Sequence, residues 1–180
     1  MPNVPPVESD QLPTEYRYLL SDNDLGELSL FKTIANNPPI LQSYMKWGST
    51  LWEESGLKPE EVEVVILTIA KELRSQYEWH HHVQLARELG LEDETIKAIF
   101  EGNYENLTNT QHLLSVYAQD FLDSSVSQNL CETISDNWND KTVVGLTCLC
   151  SHYLATARII EALDVQPDTE FSDWEFETTR

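Results

Sequence analysis

The chain has 180 residues, 41% of them hydrophobic, and a formal net charge of -20 from 31 acidic and 11 basic side chains. This length predicts a single domain around one buried core. So acidic a surface repels phosphate backbones and anionic lipids, and we therefore expect no nucleic-acid and no membrane partners. The same excess of charge is typical of a high-salt cytoplasm, where dissolved ions screen the repulsion between carboxylates.

The ends of the chain differ in composition from its middle. Residues 1–14 are rich in proline and predict an extended segment ahead of one helical domain over 15–165. Residues 166–180 form an acidic tail, which we expect to wrap the body or a neighbouring subunit through its three aromatic residues, Phe171, Trp174 and Phe176.

No segment of the sequence predicts export or membrane insertion. The first residues lack the basic and apolar regions of a secretory signal. The longest apolar run, 143–154, is interrupted by Ser151 and His152 and is shorter than the ~20 residues that a bilayer span needs. We therefore expect a cytoplasmic protein.

Between the two ends, apolar residues recur at helical spacing, with proline and glycine between the segments. Pro38 and Pro39 separate the first two helices, and Pro59 suits the first turn of the third. No strand pattern competes, so the sequence predicts an all-α fold. The predicted helices cover residues 30–34, 39–52, 59–73, 75–89, 92–100, 109–122, 131–137 and 140–163. In the third of them, the buried stripe is predicted to consist of Val62, Ile66, Ile69 and Leu73.

Chemistry-bearing residues concentrate in SQYEWHHHVQ, residues 75–84. Ser75 and Glu78 match the S-x-x-E capping box, in which each side chain binds the other's backbone N–H. Glu78 and His82 lie four residues apart, on one helix face, where a carboxylate can orient an imidazole and fix its tautomer. His81 lies one turn after Tyr77, whereas His80 points elsewhere. This pattern indicates proton transfer.

Three adjacent histidines cannot converge on one metal ion, because a helix chelates through residues three or four apart. A metal site would need further ligands from Glu63, His112 or His152, and we expect no metal and no other cofactor. The three cysteines form no CxxC pair, and they are interpreted as buried reduced thiols, at Cys131, Cys148 and Cys150.

Each candidate residue also has a structural interpretation. Glu78 can be a helix cap without a chemical role. Glu63 can complement the dipole of the helix that begins near Pro59. His82 can be a satisfied core histidine, and His80 a solvated one. The residue pattern by itself leaves these alternatives open.

Two segments resemble the carboxymuconolactone decarboxylase and AhpD-like superfamily. They are Glu63-x-x-Ile66-Leu67 and Tyr77-Glu78-Trp79-x-x-His82, and the flanking stretches LFKTIANNPPIL and HHHVQLARELGLEDETIKAI agree with it. The resemblance covers about residues 30–165 and implies an AhpD-like helical bundle. It also implies a homo-oligomer, because the helical hairpins of this family bury apolar faces between subunits.

In the peroxidase branch of that superfamily the helix opens with C-x-x-C-x-x-x-H, and a glutamate precedes the first cysteine by twelve residues. Here Glu63 and His82 match the family glutamate and histidine, while Ser75 and Glu78 stand at the two cysteine positions. Reduction of a peroxide by thiols needs a thiolate and a resolving thiol, which serine and glutamate cannot supply. The resemblance is therefore to a branch without the thiol pair.

The decarboxylase branch works without those thiols and acts on a cyclic lactone acid by proton transfer. The resemblance thus implies cofactor-independent decarboxylase or lyase chemistry on a small carboxylated or lactone substrate. The implied catalytic residues are Glu63, Glu78 and His82. The implied substrate-binding residues are Tyr77, Trp79 and His81. A non-catalytic protein that binds a small molecule on the same fold is the alternative.

The charge generates a prediction about salt. Because repulsion among exposed carboxylates falls as the Debye length shortens to ~3 Å at 1 M salt, we expect the melting temperature to rise by several degrees with added KCl. Thermal unfolding monitored by circular dichroism measures it, with a neutral osmolyte at matched concentration as the control. A melting temperature that stays flat or falls in KCl would contradict adaptation to high salt.

Overall fold

A computed structural model describes residues 2–20, 24–168, 174 and 176 of the chain. Within those ranges the secondary structure is helical and contains no strand, so the predicted all-α fold is confirmed. The α-helices are α1 (Ser29–Ile34), α2 (Pro38–Glu54), α3 (Pro59–Glu72), α4 (Gln76–Glu88), α5 (Asp93–Glu101), α6 (Asn109–Leu122), α7 (Gln128–Asn137) and α8 (Asp140–Leu163). Short 3-10 helices occur at Ser9–Gln11, Thr14–Leu19, Asp24–Glu27 and Tyr104–Asn106.

The chain divides into two compact units, one of residues 1–50 with 158–170 and one of residues 51–157 with 171–180. In the first unit, the N-terminal segment pairs with the end of α8, where the Asn3 backbone N–H donates to the Leu163 carbonyl at 3.0 Å. The predicted extended segment is wrong in part, because Ser9–Gln11 forms a 3-10 turn in which the Gln11 side chain accepts from the Glu8 N–H. The prediction of one domain over 15–165 stays a prediction.

Helix α3 is the central helix of the second unit and packs against α4, α5 and α6. Residues 62–70 are all buried, including Glu63 and Thr68. The predicted buried stripe is therefore too narrow, and Leu73 at its end is only partly buried. A helix surrounded by other helices buries every face, which makes the presence of a carboxylate at position 63 a feature that needs an explanation.

The local signals for helix starts and ends explain most boundaries. Pro59 is the first residue of α3, and Gly102 ends α5 in the left-handed conformation with φ of 73°. The connection from α3 to α4 is short because Arg74 also adopts positive φ, at 51°. That conformation costs a residue with a side chain about 1–2 kcal/mol. The strained backbone of Arg74 is therefore the conformational cost of the tight connection between α3 and α4.

Helix α8 approaches the chain segment after α2 very closely. A Cβ atom at Gly145 would collide with the backbone of Ser55. At the start of α8, Lys141 Nζ forms an ion pair with Glu54 at 2.7 Å. Among the described helices α8 is also long and apolar enough to cross a membrane by length and composition, and 44% of its most apolar stretch is buried within the protein.

Two tail residues lie against the second unit. Trp174 and Phe176 pack on Trp79, with ring centroids 6.4 and 5.5 Å away. The Gln76 side chain binds both, donating to the Trp174 carbonyl at 3.4 Å and accepting from the Phe176 N–H at 2.8 Å. At these positions the tail wraps its own chain, while Phe171 lies outside the described residues.

Candidate active site

The α3–α4 hairpin brings Glu63 and His82 into direct contact. His82 Nδ1 lies 2.9 Å from Glu63 Oε1 and 3.1 Å from Oε2. The Glu63 side chain is completely buried, and 15% of the His82 side chain remains exposed. With Nδ1 held by Glu63, the second ring nitrogen, Nε2, is the one left for chemistry.

The pairing changes the protonation of His82. Burial by itself lowers the pKa of an imidazole, but the charge of Glu63, its hydrogen bond and the more distant charge of Glu78 together raise the pKa of His82 above its usual 6.5. The structural interpretation of Glu63 as a partner of the helix dipole is therefore insufficient. A buried carboxylate needs a partner, and His82 is that partner.

The predicted capping box at the start of α4 does not form. Ser75 is the N-cap residue, but its side chain makes no capping hydrogen bond. The Ser75 hydroxyl and both carboxylate oxygens of Glu78 are buried without a hydrogen-bond partner in the described part of the chain. The prediction was wrong because Glu78 is turned into the core, where it is 3% exposed, instead of back toward the backbone of Ser75.

Burial in the core also changes the pKa of the Glu78 carboxyl group. Burial raises the pKa of Glu78 to about 7, against smaller lowerings by the charge of His82 and by the Ser75 hydroxyl, which lies near the carboxyl but outside hydrogen-bonding geometry. The residue was predicted to orient His82 through a hydrogen bond, and this is also wrong, since Glu63 holds the ring nitrogen. The charge of Glu78 raises the pKa of His82, and the charge of His82 lowers that of Glu78.

The neighbouring histidines occupy different surroundings. The ring of His81 packs against Tyr77, with centroids 4.5 Å apart, as the one-turn spacing predicted. The ring of His80 lies edge-on to that of His81 at 5.5 Å, and His80 is half-buried and not fully solvated. Of the three consecutive histidines, His82 is the one paired with the buried glutamate.

Trp79, predicted to bind substrate, lies in an aromatic cluster. Its fully buried ring contacts Phe100 at 5.3 Å besides the two tail aromatics. Its indole N–H finds no acceptor among the residues that the structure describes. The guanidinium carbon of Arg87 lies over the Trp174 ring, 5.6 Å from its centroid. Trp79 thus joins α4 to the tail, while Glu78, the preceding residue, lies near His82.

Two further residues of the site come from α8. The Tyr153 ring lies 5.2 Å from the His82 ring at an interplanar angle of 84°. Burial, reinforced by the charge of His82, lowers the pKa of His152 to about 4, so His152 is neutral at pH 7. The sequence singled out His152 only as a candidate metal ligand and Tyr153 not at all. The signal that was present was a polar pair, Ser151 and His152, inside an apolar helix.

The candidate metal ligands Glu63 and His82 are in contact, but His112 is engaged elsewhere. His112 Nδ1 lies 2.9 Å from the Tyr104 carbonyl. Among the residues with described positions, no group of three or more histidine, cysteine, aspartate or glutamate side chains is arranged to hold a metal ion. The three cysteines are free, but only Cys150 is buried as predicted, whereas Cys131 and Cys148 are half-buried. Burial raises the pKa of the Cys150 thiol far above its usual range. Cys150 is therefore no nucleophile.

Comparison with solved structures shows an AhpD-like fold. A peroxidase-related protein with an alkylhydroperoxidase AhpD core, from Ralstonia eutropha JMP134, is 14% identical at a TM-score of 0.82, covering 93% of this chain and 92% of that one. A protein of unknown function from Agrobacterium tumefaciens is 17% identical at 0.68, covering 76% and 97%. The debrominase Bmp8, in complex with 2,3,4-tribromopyrrole, is 11% identical at 0.72, covering 92% and 91%.

Sequence comparison adds a match to one family model. No curated protein matches the chain. The model of the carboxymuconolactone decarboxylase family matches residues 38–104, which contain Glu63, Glu78 and His82 but end before Tyr153. The match covers less than half of the chain, and together with the AhpD-like fold it agrees with the resemblance that the two sequence segments carry.

Proposed function

We propose that the protein catalyses cofactor-independent acid–base chemistry, of the decarboxylase or lyase type, on a small carboxylated or lactone substrate. The observation that carries the proposal is the contact between Glu63 and His82. A completely buried carboxylate that holds one nitrogen of a partly exposed imidazole is an arrangement that serves proton transfer.

In this proposal each residue has a distinct role. His82 takes or gives the proton through Nε2, and Glu63 fixes the ring and stabilises its protonated form. Glu78 is a second acid, and its pKa of about 7 lets it donate or accept a proton at neutral pH. Tyr77 and His81 pack together on the same helix and are proposed to contact the substrate.

The proposal predicts which histidine matters. We expect His82→Gln to abolish turnover and Glu63→Gln to lower it by about two orders of magnitude or more, because general acid–base groups contribute ~10²–10⁴ in rate. His80→Ala should be almost silent, and His81→Ala should lie between. The assay is turnover of small carboxylic acids and lactones, screened first with the wild-type protein.

His80→Ala is the matched control, since it removes an adjacent histidine from the same helix. Full activity in the Glu63→Gln, His82→Gln double variant would contradict the proposal. Tight binding of a screened compound without any turnover would favour the alternative, a small-molecule binding protein. Stoichiometric metal that is lost on His80→Ala would contradict the metal-free assignment.

Glu78 generates a prediction about stability. A pKa raised from 4.5 to about 7 means that the folded protein binds the Glu78 proton more tightly than the unfolded chain does. The contribution of Glu78 to stability is therefore most favourable below pH 4.5 and is lost as the pH rises through about 7, by up to ~3 kcal/mol. We expect Glu78→Gln to stabilise the protein at pH 8 and to have almost no effect at pH 4.

Urea unfolding at both pH values measures this difference, with Glu88→Gln, on the exposed end of the same helix, as the control. Equal free energies of unfolding for wild type and Glu78→Gln at pH 8 would show that Glu78 has a partner that offsets its burial. Residues of functional sites often lower the stability of the folded protein, and Glu78 is expected to be such a residue.

The absence of the thiol pair at positions 75 and 78 generates a negative prediction. We expect no thiol-dependent hydroperoxidase activity, because Cys150 is held protonated and no cysteine follows it in a CxxC pair. Reduction of an organic peroxide by a dithiol is the assay. A robust rate that Cys148→Ser or Cys150→Ser abolishes would overturn the prediction.

A further inference from the structure

We propose that Tyr153 is a positioning residue for His82: its ring, anchored by Trp52, holds the imidazole in the orientation in which Nδ1 bonds to Glu63. The proposal rests on the proposed function, since a fixed imidazole matters where His82 exchanges protons. Tyr153 lies outside the stretch that matches the family model.

The Tyr153 ring packs against one side of the His82 imidazole. Their centroids are 5.2 Å apart and their planes meet at 84°, an edge-to-face arrangement that aromatic rings favour. Glu63 fixes one nitrogen, but a single carboxylate leaves the imidazole free to rock about that hydrogen bond. A ring packed at right angles to the imidazole restricts this motion.

Tyr153 is itself held at its far end. The Trp52 indole N–H donates to the Tyr153 hydroxyl at 2.9 Å. Tyr153 is 7% exposed, so this hydrogen bond lies away from water and restrains the ring more than a solvated one would. The two residues come from the end of α2 and the second half of α8.

The backbone that carries the pair is fixed as well. Gly145, two turns before Tyr153 on α8, lies directly on the Ser55 backbone just after α2. The ion pair of Lys141 with Glu54 fastens the same two segments. The distance between Trp52 and Tyr153 is thereby set by close main-chain packing and not by their side chains alone.

The charged and titratable groups around His82 come from three helices. Glu63 on α3 and Glu78 on α4 favour the protonated imidazole, and His152 on α8 is kept neutral by burial and by the charge of His82. The Tyr153 ring packs against both imidazoles, with its centroid 5.2 Å from that of His82 and 5.2 Å from that of His152. A variant at position 153 removes the contact with His82 and leaves these three titratable groups in the chain.

The test is long-range proton–nitrogen NMR of the full chain labelled with ¹⁵N-histidine, which reports the tautomer and titration of each imidazole without any substrate. In the wild type we expect neutral His82 to carry its proton on Nδ1. In Tyr153→Leu we expect the Nε2-protonated tautomer to appear and the titration midpoint to fall by about half a unit, as the Glu63 hydrogen bond weakens.

Two milder variants keep the proposal testable where Tyr153→Leu fails to fold. Tyr153→Phe and Trp52→Phe cut the same hydrogen bond from opposite ends, so we expect equal, smaller shifts of the His82 midpoint that do not add in the double variant. Tyr117→Phe is the matched control, since it removes another buried tyrosine hydroxyl, bonded to Thr147 at 2.7 Å.

A His82 tautomer and midpoint that are unchanged in folded Tyr153→Leu, or in both Tyr153→Phe and Trp52→Phe, would overturn the proposal. A shift of the same size in Tyr117→Phe would overturn it too, because the effect would then be general to the core. These readouts need no turnover, and a failure to find activity would thus count against the proposed function alone.

Discussion

The structure of the second unit depends on the burial of one carboxylate, that of Glu63. An ionised carboxylate without a partner costs several kcal/mol in a protein interior, and α3 is surrounded on all sides by other helices. The contact with His82 relieves that cost and in turn keeps the imidazole in one orientation. The tight α3–α4 connection through Arg74 is what brings the two side chains together, at a cost in backbone strain.

Around this pair, the site combines groups of different protonation in a small space. His82 is biased toward its charged form, Glu78 titrates near neutral pH, and His152 is kept neutral. Environments that push the pKa values of neighbouring groups apart are what distinguishes proton donors from acceptors in enzymes. Such an assembly costs stability, because both oxygens of Glu78 are buried without a hydrogen-bond partner in the described ranges.

Local sequence signals predicted the helices well. The ranges of α6 and α8 follow from local sequence signals, and the resemblance to the family predicts that Glu63 and His82 act together. The capping-box prediction was wrong because the S-x-x-E pattern describes only what neighbouring residues can do. The packing of α4 on α3 turns Glu78 into the core instead. Tyr153 and Trp52 could not be predicted, since the residues are 101 positions apart and neither belongs to a local motif.

The separation of these contacts along the chain has a consequence for how the site assembles. Glu63 and His82 are 19 residues apart, whereas Trp52 and Tyr153 are 101 apart. Closing the shorter loop loses less chain entropy, by about 1.5 kcal/mol on a logarithmic dependence on length. The acid–base pair is therefore a product of one helical hairpin, which folds through local contacts, and the aromatic support from α8 requires the whole unit to close. Partial opening of that unit would detach the support while leaving the pair intact.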